Sequence, residues 1–502
     1  MGNAKTILCA CEDVTLEEVR RAFAKGHRDL ESVKRYTGFG TGPCQGKSCL
    51  PLVVGELLRL GATPAEIRPF TVRPPADPVT LAALASLDAE AVRPSPRPSP
   101  SQGEGGGSPF QGEGDRPRPS APLPARANVV IVGGGIMGLA LAYNLARRGV
   151  GEVVVLEGRY LNAGASGRNG GGVRAQWSTP TMIRLARRSI ELCRRFAVEM
   201  GINVWMRQGG YLFLAATTAQ VARLEKNLRV HEANGLRTRL VTPDEALEIV
   251  PQLDASLFVA AAYNPDDGVV FPWPFLWGYA SQAEARGAKV LTFTQVTGFE
   301  RAGRRIAAVR TDRGRIACDV VVNAAGAWSK AIAALAGVAL PNRPTRHEIL
   351  VTEPTKPWLD PLVSVLENGL YFSQSQRGEV VGGMGDPAEP EGIEMGSTLR
   401  FLARFARAMT ACAPSTGSLR VVRQWAGCYD VTPDNNPILG PAGFENFLQL
   451  SGFVGHGFMM APAVAELMAG WMAGDPPDPI FQRFTVDRFE RADALREDFI
   501  IG

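Results

Sequence analysis

The sequence has no apolar run long enough to cross a membrane, since the run from Val129 to Val132 stops at three glycines. It has no block of Lys and Arg beside paired aromatic residues, and a net charge of +4 is small for 502 residues. Nucleic-acid binding therefore has little support. Residues 1–6 lack the apolar segment of a secretory leader, so the reducing cytoplasm is the expected compartment. These absences predict a soluble cytoplasmic protein with no integral membrane segment.

The length is sufficient for two or more domains, and an apolar content of 45% is ordinary for a globular protein. Residues 93–127 divide the chain, because they are rich in Pro, Ser, Gly and charge and contain the near-repeat SPSQGEG and SPFQGEG. Such a segment cannot bury a core, so it predicts a disordered linker. The linker would let the N-terminal part dock on its own chain or swing to a partner.

Four of the eight cysteines lie within the first fifty residues, as Cys9 and Cys11 and then Cys44 and Cys49. Two close pairs of thiolates can form a tetrahedral sulfur cage, which zinc and iron–sulfur clusters both use. The spacing favours iron–sulfur, since zinc ribbons usually space their pairs Cys-x-x-Cys, and a reducing compartment disfavours disulfides. The other four cysteines are scattered singly, as buried or incidental thiols usually are, at Cys193, Cys318, Cys412 and Cys428.

The segment at residues 34–47, KRYTGFGTGPCQGK, resembles the small 2Fe–2S module called BFD-like, after bacterioferritin-associated ferredoxin. The resemblance covers about residues 1–70 and implies that the four cysteines hold a 2Fe–2S cluster. Local patterns predict three short helices in this module. The first follows a capping box at residues 15–18, the second covers residues 29–36 before Gly38, and the third contains Pro51 in its first turn and stops at Gly61.

A dinucleotide-binding motif opens the second part of the chain. The apolar strand from Val129 to Val132 leads into GGGIMG at residues 133–138, a helix to Arg148 and a second strand that ends before Glu157. Glycines in this context allow a tight turn and a close approach of pyrophosphate to a helix N-terminus. Glu157 is placed to hold ribose hydroxyls. The motif predicts a bound dinucleotide without separating flavin from nicotinamide.

Three further segments resemble the D-amino-acid oxidase family, and in particular its sarcosine oxidase beta-subunit-like branch. They are GASGRNGGGVR at residues 164–174, VVNAAGAWS at residues 321–329, and GCYDVTPD with GFVGHG at residues 427–434 and 452–457. The resemblance covers residues 128 to about 480 and implies FAD. The cofactor-binding residues predicted from the motif and the resemblance together are Gly133, Gly135, Ile136, Met137, Gly138, Glu157, Ser166, Arg168, Asn169, Gly170, Gly171, Ala325, Gly326, Gly455, His456 and Gly457.

Arg174, Tyr371 and His456 are the predicted catalytic residues. Arg174 occupies a position that resembles the family's substrate arginine, and a guanidinium suits bidentate recognition of a carboxylate. Tyr371 is predicted on a strand that faces the flavin, and His456 near the flavin at a helix start. His347 and Arg423 are weaker candidates. Each of these side chains also has a structural reading, as a core aromatic, a packing ring or a hydrogen-bonding partner.

Two departures from the monomeric sarcosine oxidases of the family are informative, and the first of them indicates a dehydrogenase together with the N-terminal 2Fe–2S module. Those enzymes carry a lysine near the flavin that promotes reaction with oxygen, and residues 378–382 contain none. They also attach flavin through a cysteine, and Cys428 lies one residue from that position, so non-covalent FAD is expected. The missing lysine and the N-terminal cysteines together predict that electrons leave through the 2Fe–2S cluster to an external acceptor.

The predicted fold class is α/β: a doubly wound Rossmann-type FAD domain with an α+β substrate domain, preceded by a small helical 2Fe–2S module. The FAD domain is expected at about 128–205, 290–345 and 420–502, and the substrate domain at about 206–289 and 346–419. The predicted reaction is oxidation of the C–N bond of an amino acid or secondary amine. An oxidase that makes hydrogen peroxide and a non-catalytic electron-transfer subunit are the alternatives. A second flavoprotein subunit is a possible partner implied by the resemblance.

Overall fold

The computed structural model describes residues 6–42, 44–70, 73–75, 77–88, 121–491 and 497. Residues 93–120 of the predicted linker lie outside this part of the chain. The linker was predicted to end at residue 127, but the first strand of the second part already begins at Arg126. The prediction is therefore wrong for residues 126 and 127.

Twenty-one strands are formed by the described residues. They are β1 (Ile7–Cys9), β2 (Val14–Thr15), β3 (Val79–Thr80), β4 (Arg126–Val132), β5 (Val153–Leu156), β6 (Gly172–Val173), β7 (Tyr211–Ala215), β8 (Arg239–Val241), β9 (Ala260–Asn264), β10 (Gly268–Val269), β11 (Lys289–Leu291), β12 (Val296–Ala302), β13 (Arg305–Thr311), β14 (Gly314–Asn323), β15 (Arg343–Pro354), β16 (Leu362–Val365), β17 (Tyr371–Gln374), β18 (Glu379–Gly383), β19 (Arg420–Val431), β20 (Ile438–Ala442) and β21 (Phe444–Ser451).

Thirteen α-helices accompany them in the same part of the chain. They are α1 (Leu16–Ala24), α2 (Leu30–Thr37), α3 (Leu50–Arg59), α4 (Leu81–Ala85), α5 (Ile136–Arg147), α6 (Pro180–Met200), α7 (Thr218–Ala233), α8 (Pro243–Ile249), α9 (Pro272–Glu284), α10 (Ser329–Leu335), α11 (Leu399–Cys412), α12 (Gly457–Met472) and α13 (Ile480–Arg483). Among the described residues, none of these helices has both the length and the apolar character needed to span a bilayer.

Residues 6–70 form a small module, here called the thiol module, whose three helices follow the predicted signals. Thr15 and Glu18 form the capping box that starts α1, and Gly38 ends α2 in the left-handed conformation. Pro51 lies in the first turn of α3. The helices pack around a core that includes Val19, Val33 and Val53. The helical character predicted for the module is confirmed.

The FAD-domain sheet has eight strands in the order β11-β5-β4-β14-β13-β12, with β21 also paired to β14 and β20 paired to β21. Its central strands β5, β4, β14 and β21 run parallel. Side chains of β4 alternate between two apolar clusters: Val129 and Ile131 lie in one, and Val130 and Val132 lie in the other. Burial on both faces explains the unbroken apolar run in this strand. The predicted doubly wound domain is confirmed.

The substrate-domain sheet has nine strands in the order β3-β19-β15-β18-β17-β16-β7-β9-β8. It is mixed, because β7 pairs antiparallel with β9 and parallel with β16. An antiparallel sheet is expected from the sequence for strands such as residues 210–215, and the parallel neighbour β16 differs from that expectation. A run of five apolar residues fits either pairing, since pairing depends on the path of the distant chain.

The boundaries between the two domains also differ from the prediction in two places. Helix α9 was assigned to the substrate domain, but Phe275 and Tyr279 pack with α5 in the core of the FAD domain. Strand β19 was assigned to the FAD domain, but it pairs with β15 in the substrate-domain sheet. Both elements lie where the chain passes from one domain to the other, and only tertiary packing decides to which domain such an element belongs.

The chain between the thiol module and the linker is part of the substrate domain. Strand β3 forms the edge of the sheet beside β19, and α4 packs against α11. Leu81 is fully buried and Leu84 is nearly so, in the same apolar cluster as Phe405. The N-terminal part therefore continues beyond the predicted end at residue 70 and is anchored in a core that belongs to the rest of the chain.

Candidate active site

The glycines of the dinucleotide motif bring two strands and a helix into close contact. Gly133 has a φ of +113°, and a Cβ atom there would lie 2.5 Å from the carbonyl oxygen of Ala324. A Cβ atom at Gly138 would lie 2.0 Å from the carbonyl oxygen of Gly133. No larger residue fits at either position without a shift of the backbone. The loop therefore stays close to the ends of β4 and β14.

Glu157 is held at the end of β5 by two backbone N–H groups. The N–H of Gly134 donates to Glu157 Oε2 at 2.9 Å, and the N–H of Arg159 donates to Oε1 at 2.9 Å. Burial raises the pKa of this carboxyl group, and the two backbone donors oppose the shift. The arrangement places an acceptor beside the glycine loop, where the sequence predicted a partner for ribose hydroxyls.

The segment from residue 165 to residue 171 folds against the start of α5. Ile136 donates its backbone N–H to Ser166 Oγ at 3.0 Å, and α5 has no side-chain cap from Gly135 itself. Asn169 accepts the backbone N–H of Gly171 at 2.8 Å. A Cβ atom at Gly171 would lie 1.9 Å from the carbonyl oxygen of Val270, and its φ is +73°. These contacts fix the segment along the floor of the cavity.

Arg168 is buried, and its guanidinium donates hydrogen bonds to backbone carbonyl groups. Its Nε donates to the carbonyl oxygen of Ala163 and its Nη1 to that of Ala426, both at 2.9 Å. Burial lowers the pKa of Arg168 to about 10. This arginine links the cavity floor to β19.

Arg174 and His456 meet in the interior of the cavity. Arg174 is only 2% exposed, and its Nη2 lies 3.4 Å from His456 Nε2. Its guanidinium also lies 4.2 Å from the ring centroid of Trp177, and it donates to the carbonyl oxygen of Gln176. Burial lowers the pKa of Arg174, while the nearby Tyr211 raises it. The site thus presents a buried cation, and water does not compete there with an anionic ligand.

Tyr371 belongs to a buried group with His347 and Tyr429. Tyr371 Oη lies 3.0 Å from His347 Nε2, and Tyr371 and Tyr429 share a side-chain hydrogen bond. The His347 ring is nearly parallel to both phenol rings, with centroids 4.5 Å from that of Tyr429 and 5.7 Å from that of Tyr371. Burial lowers the pKa of His347 to about 4, so this imidazole is neutral at physiological pH.

Two residues of the site were missed at the level of the sequence, Tyr211 in the cavity lining and Asp267 outside it. Tyr211 lies in β7, and its pKa is raised by burial and lowered by the adjacent Arg174. Asp267 lies behind Arg174 and accepts hydrogen bonds from the Ala175 N–H at 2.7 Å and from Gln176 Nε2 at 3.0 Å. Tyr211 stands in an apolar run with no signal of function. Asp267 stands in a turn-like NPDDG segment that suggests only a loop.

The C-terminal loop closes the cavity beside the start of α12. Val454 adopts a φ of +54°, and a Cβ atom at Gly455 would lie 2.4 Å from the ring of Tyr429. Asp430 accepts the backbone N–H of Gly452 at 2.6 Å, and burial raises the pKa of Asp430 to about 6. The tight contact with Tyr429 explains a glycine at position 455.

One cavity brings together all but one of the predicted catalytic and cofactor-binding residues. The exception is Gly138, which lies behind the glycine loop and acts on its packing. His347 also lines this cavity, whereas Arg423 lines a second one, between the thiol module and the rest of the chain. The lining of the first cavity contains no lysine. Cys428 lies in that lining, and its Sγ donates to the carbonyl oxygen of Glu394 at 3.2 Å.

The four N-terminal cysteines form two contact pairs. Cys9 is hydrogen-bonded to Cys49, and Cys11 is hydrogen-bonded to Cys44. Backbone N–H groups, including that of Gly40, also approach the sulfur atoms. Four thiols with backbone donors suit, in kind, a group held by thiolates. However, no three or more His, Cys, Asp or Glu side chains are grouped to hold a metal ion in the part of the chain that the structure describes.

Residues 128–471 match the family described as FAD dependent oxidoreductase. The chain belongs to this family. Residues 3–87 match the family described as Sarcosine oxidase A3 domain. This match extends past residue 70, in agreement with the anchoring of β3 and α4.

Individual relatives agree with the family. The chain is 30% identical over 375 residues to sarcosine oxidase subunit beta of Rhizobium meliloti (strain 1021), which covers 74% of this chain and 90% of that protein. It is similar to the crystal structure of L-proline dehydrogenase from P. horikoshii, with a TM-score of 0.71, 37% identity and coverage of 74% and 100%. Glycine oxidase from Geobacillus kaustophilus shares the fold at a TM-score of 0.67, 24% identity and coverage of 73% and 99%.

The residues of the cavity fit the FAD that the family requires. The glycine loop leaves no room for side chains, the start of α5 lacks its own side-chain cap, and Glu157 is held at the adjacent strand end. These are the features by which a dinucleotide is held at a strand–helix junction. The expected FAD-dependent oxidoreductase is therefore confirmed at this level.

Proposed function

We propose that this protein is a dehydrogenase that oxidises the C–N bond of an amino acid or a secondary amine. The observation that carries the proposal is the buried Arg174–His456 pair, which lines the same cavity as Tyr371 and its aromatic neighbours. Relatives named sarcosine oxidase and L-proline dehydrogenase support an amine with a carboxylate. Glycine and opines belong to the same chemical class.

Arg174 binds the substrate carboxylate in this proposal. A desolvated guanidinium offers two parallel donors, and its charge is not screened by water. Tyr371 and Tyr211 form the aromatic wall against the carbon chain, and the hydroxyl of Tyr371 orients the amine. His347 keeps that hydroxyl in place through its Nε2.

FAD, when bound, supplies the acceptor for the hydride equivalent that leaves the carbon beside nitrogen. The substrate becomes an imine, and water then hydrolyses the imine to a carbonyl compound and an amine or ammonia. The start of α12, with His456 as its cap residue, stabilises negative charge near the cofactor. No side chain needs to act as a base if the amine binds in its neutral form.

We further propose that FAD is held non-covalently. The thiol of Cys428 donates to the Glu394 carbonyl, and burial raises its pKa to about 11. A protonated, hydrogen-bonded thiol is a poor nucleophile. Acid precipitation should release all of the flavin into the supernatant. Flavin that stays with the precipitated protein would contradict this proposal.

The thiol module is proposed to pass electrons from the active site to an external acceptor through a 2Fe–2S cluster on Cys9, Cys11, Cys44 and Cys49. The paired thiols and their backbone donors support this assignment. The cluster would require the two pairs to close on one centre. Iron and acid-labile sulfide in the anaerobically purified protein, lost together in the Cys44→Ser variant, would support it. Zinc in place of iron, or a metal-free protein, would refute it.

Anaerobic absorption spectra test the reaction itself. Sarcosine, proline, glycine and opines are each mixed with the enzyme, and bleaching of the flavin band identifies a substrate. We expect dye acceptors to reoxidise the enzyme much faster than oxygen does, since no lysine lines the cavity. Rapid peroxide formation would favour the alternative of an oxidase. Absence of bleaching with every amine would favour a non-catalytic electron-transfer subunit.

The relative from Rhizobium meliloti is named as a subunit, sarcosine oxidase subunit beta. This name supports a partner polypeptide for this chain as well. We propose such a hetero-oligomer and a cytoplasmic location. Co-purification of a second flavoprotein with the tagged native protein tests the partner, and fractionation of the source cells tests the location.

A further inference from the structure

A buried acid of the thiol module contacts the substrate domain. The Glu12 side chain is only 3% exposed and forms an ion pair with Arg377. Burial raises the pKa of Glu12, while Arg377 and Arg423 lower it. Arg377 also lies over the rings of Trp205 and Phe271, at 5.3 Å and 5.5 Å from their centroids. The guanidinium of Arg377 thus contacts a buried carboxylate and two aromatic rings.

A second arginine contacts the module through its backbone. Nη1 of Arg423 donates to the carbonyl oxygen of Thr41. Burial lowers the pKa of Arg423 to about 10, while Glu12 and Glu379 raise it. Its guanidinium lies 5.5 Å from the ring centroid of Trp425. Arg423 therefore belongs to the interface with the module and not to the FAD cavity.

The two contacts fall on the two segments that carry the cysteines. Glu12 directly follows Cys11, and Thr41 lies three residues before Cys44. Arg377 lies in the turn between β17 and β18, and Arg423 lies in β19, so both arginines come from the substrate-domain sheet. Both arginines line the cavity between the thiol module and the rest of the chain. Asn169 and Gly170 line this cavity as well as the FAD cavity. A segment of FAD-binding residues thus lies between the two cavities.

We infer that Arg377 and Arg423 are positioning residues that fix both cysteine-bearing segments of the thiol module next to residues 169–170. This inference rests on the proposed electron exit through the module. The module then works as a fixed part of the active enzyme, and the linker at residues 93–120 does not carry it to a distant acceptor. Two contacts on separate segments determine both the place and the orientation of the module.

The physical basis is the cost of moving a buried charge. If Arg377 is removed, Glu12 stays in a site that excludes water and has lost its ion-pair partner. The segment then shifts to hydrate the carboxylate. A shift of about 1 Å in a reacting group can slow a reaction on the order of a hundredfold. An exposed ion pair would not have this effect, because water replaces the lost partner.

Hydrogen–deuterium exchange of the full-length holoenzyme tests the positioning directly. We expect Arg377→Gln and Arg423→Gln to increase exchange in residues 6–12 and 38–49 while exchange in residues 126–173 is unchanged. The control is Arg420→Gln, which removes an exposed arginine three positions away on the same strand. If both variants exchange like the control, the inference is overturned. This readout does not depend on the proposed function.

Stopped-flow measurements test the consequence for electron exit. Anaerobic bleaching of the flavin by substrate should keep its wild-type rate in both variants, since the arginines do not line the FAD cavity. Reduction of an external dye should become roughly ten- to a hundredfold slower. Dye reduction at the wild-type rate, together with increased exchange, would show that the module is positioned but is not the exit. That result would refute the proposed electron path and leave the positioning role standing.

Discussion

Arg174 is the residue on which substrate recognition depends most directly. It carries a charge at 2% exposure, and the groups that surround it include Trp177, His456 and the backbone of Gln176. These contacts orient the guanidinium in the lining of the cavity. A buried cation in a cavity is suited to an anionic group of a ligand.

Replacing Arg174 with lysine should weaken substrate binding. A lysine keeps the charge but loses the two parallel donors. Hydrogen bonds from such donors to a charged partner contribute about 1.5–3 kcal/mol to binding. We therefore expect KM for the amino-acid substrate to rise roughly ten- to a hundredfold, with a smaller change in kcat. Steady-state kinetics with the dye acceptor measure both constants.

Two comparisons separate recognition of the carboxylate from a structural role. Arg194→Lys changes a half-exposed arginine and should behave like the wild type. An amine that lacks the carboxylate should be oxidised equally well by the wild type and by Arg174→Lys. If the variant is also impaired with that amine, Arg174 supports the cavity and does not bind the carboxylate.

His231 gives a prediction about pH. It is 1% exposed, its Nε2 lies 2.9 Å from the carbonyl oxygen of Trp177, and its Nδ1 has no hydrogen-bond partner among the described residues. Burial lowers its pKa from 6.5 to about 4. The folded protein thus binds this proton less tightly than the unfolded chain does. The stability that neutral His231 contributes is present above pH 6.5 and is lost as the pH falls toward 4.

The variant His231→Gln removes this titration. Between pH 6.5 and 4 the free energy of unfolding of the wild type should fall faster than that of the variant, by about 1.4 kcal/mol per pH unit. Denaturant titrations at several pH values measure the difference. At pH 8 both side chains are neutral, so the difference there reports packing alone. Parallel curves across the whole range would contradict the assigned pKa.

At the scale of elements, the junction of β4 and α5 decides whether the cofactor is held. The helix begins against the glycine loop, and Gly138 lets the two backbones approach. Thirty residues after the start of α5, Ser166 accepts the N–H of Ile136 and completes the first turn. The element therefore depends on a distant segment as well as on its own glycines.

The variant Gly138→Ala should lose FAD. Its Cβ would lie 2.0 Å from the carbonyl oxygen of Gly133, so the loop must move away from the pyrophosphate position. Flavin absorbance per mole of purified protein measures the loss. Gly55→Ala in α3 is the matched control, because its Cβ meets no atom within 4 Å. That variant should keep FAD and gain about 0.5–1 kcal/mol of stability. Full flavin content in Gly138→Ala would contradict the close packing.

At the scale of the whole molecule, the N-terminal part is tied to α9 of the FAD domain and to the substrate domain. Strand β3 and helix α4 complete its sheet and core, and the ring of Tyr36 lies 4.6 Å from that of Trp277 in α9. The chain is therefore one assembly in which the segment before the linker contributes to the core of the segment after it.

Truncating Leu81 should destabilise the substrate domain even though this residue lies before the linker. Leu81 is fully buried, so Leu81→Ala should lower the free energy of unfolding by about 2–5 kcal/mol. Denaturant unfolding followed by tryptophan fluorescence measures the change. Leu52→Ala, at a leucine that is 53% exposed, should cost far less. Equal effects of the two substitutions would show that α4 is not part of the core.

The sequence by itself determined the elements whose signals are local. The capping box at Thr15, the glycine loop after β4 and the family segments around Asn169 and His456 needed no knowledge of distant contacts, because caps, tight turns and motif glycines act within a few residues. The same locality made the three helices of the thiol module predictable.

Only the tertiary structure decided how distant segments meet. It placed Tyr211 and Asp267 beside Arg174, and it placed Arg423 in contact with the thiol module. It also showed that α9 and β19 each belong to the other domain than the one predicted. Each of these outcomes depends on packing between residues far apart in the chain, and an apolar strand or a single charged side chain carries no signal of its partner. The physical reason is that burial and pairing are properties of the assembled fold.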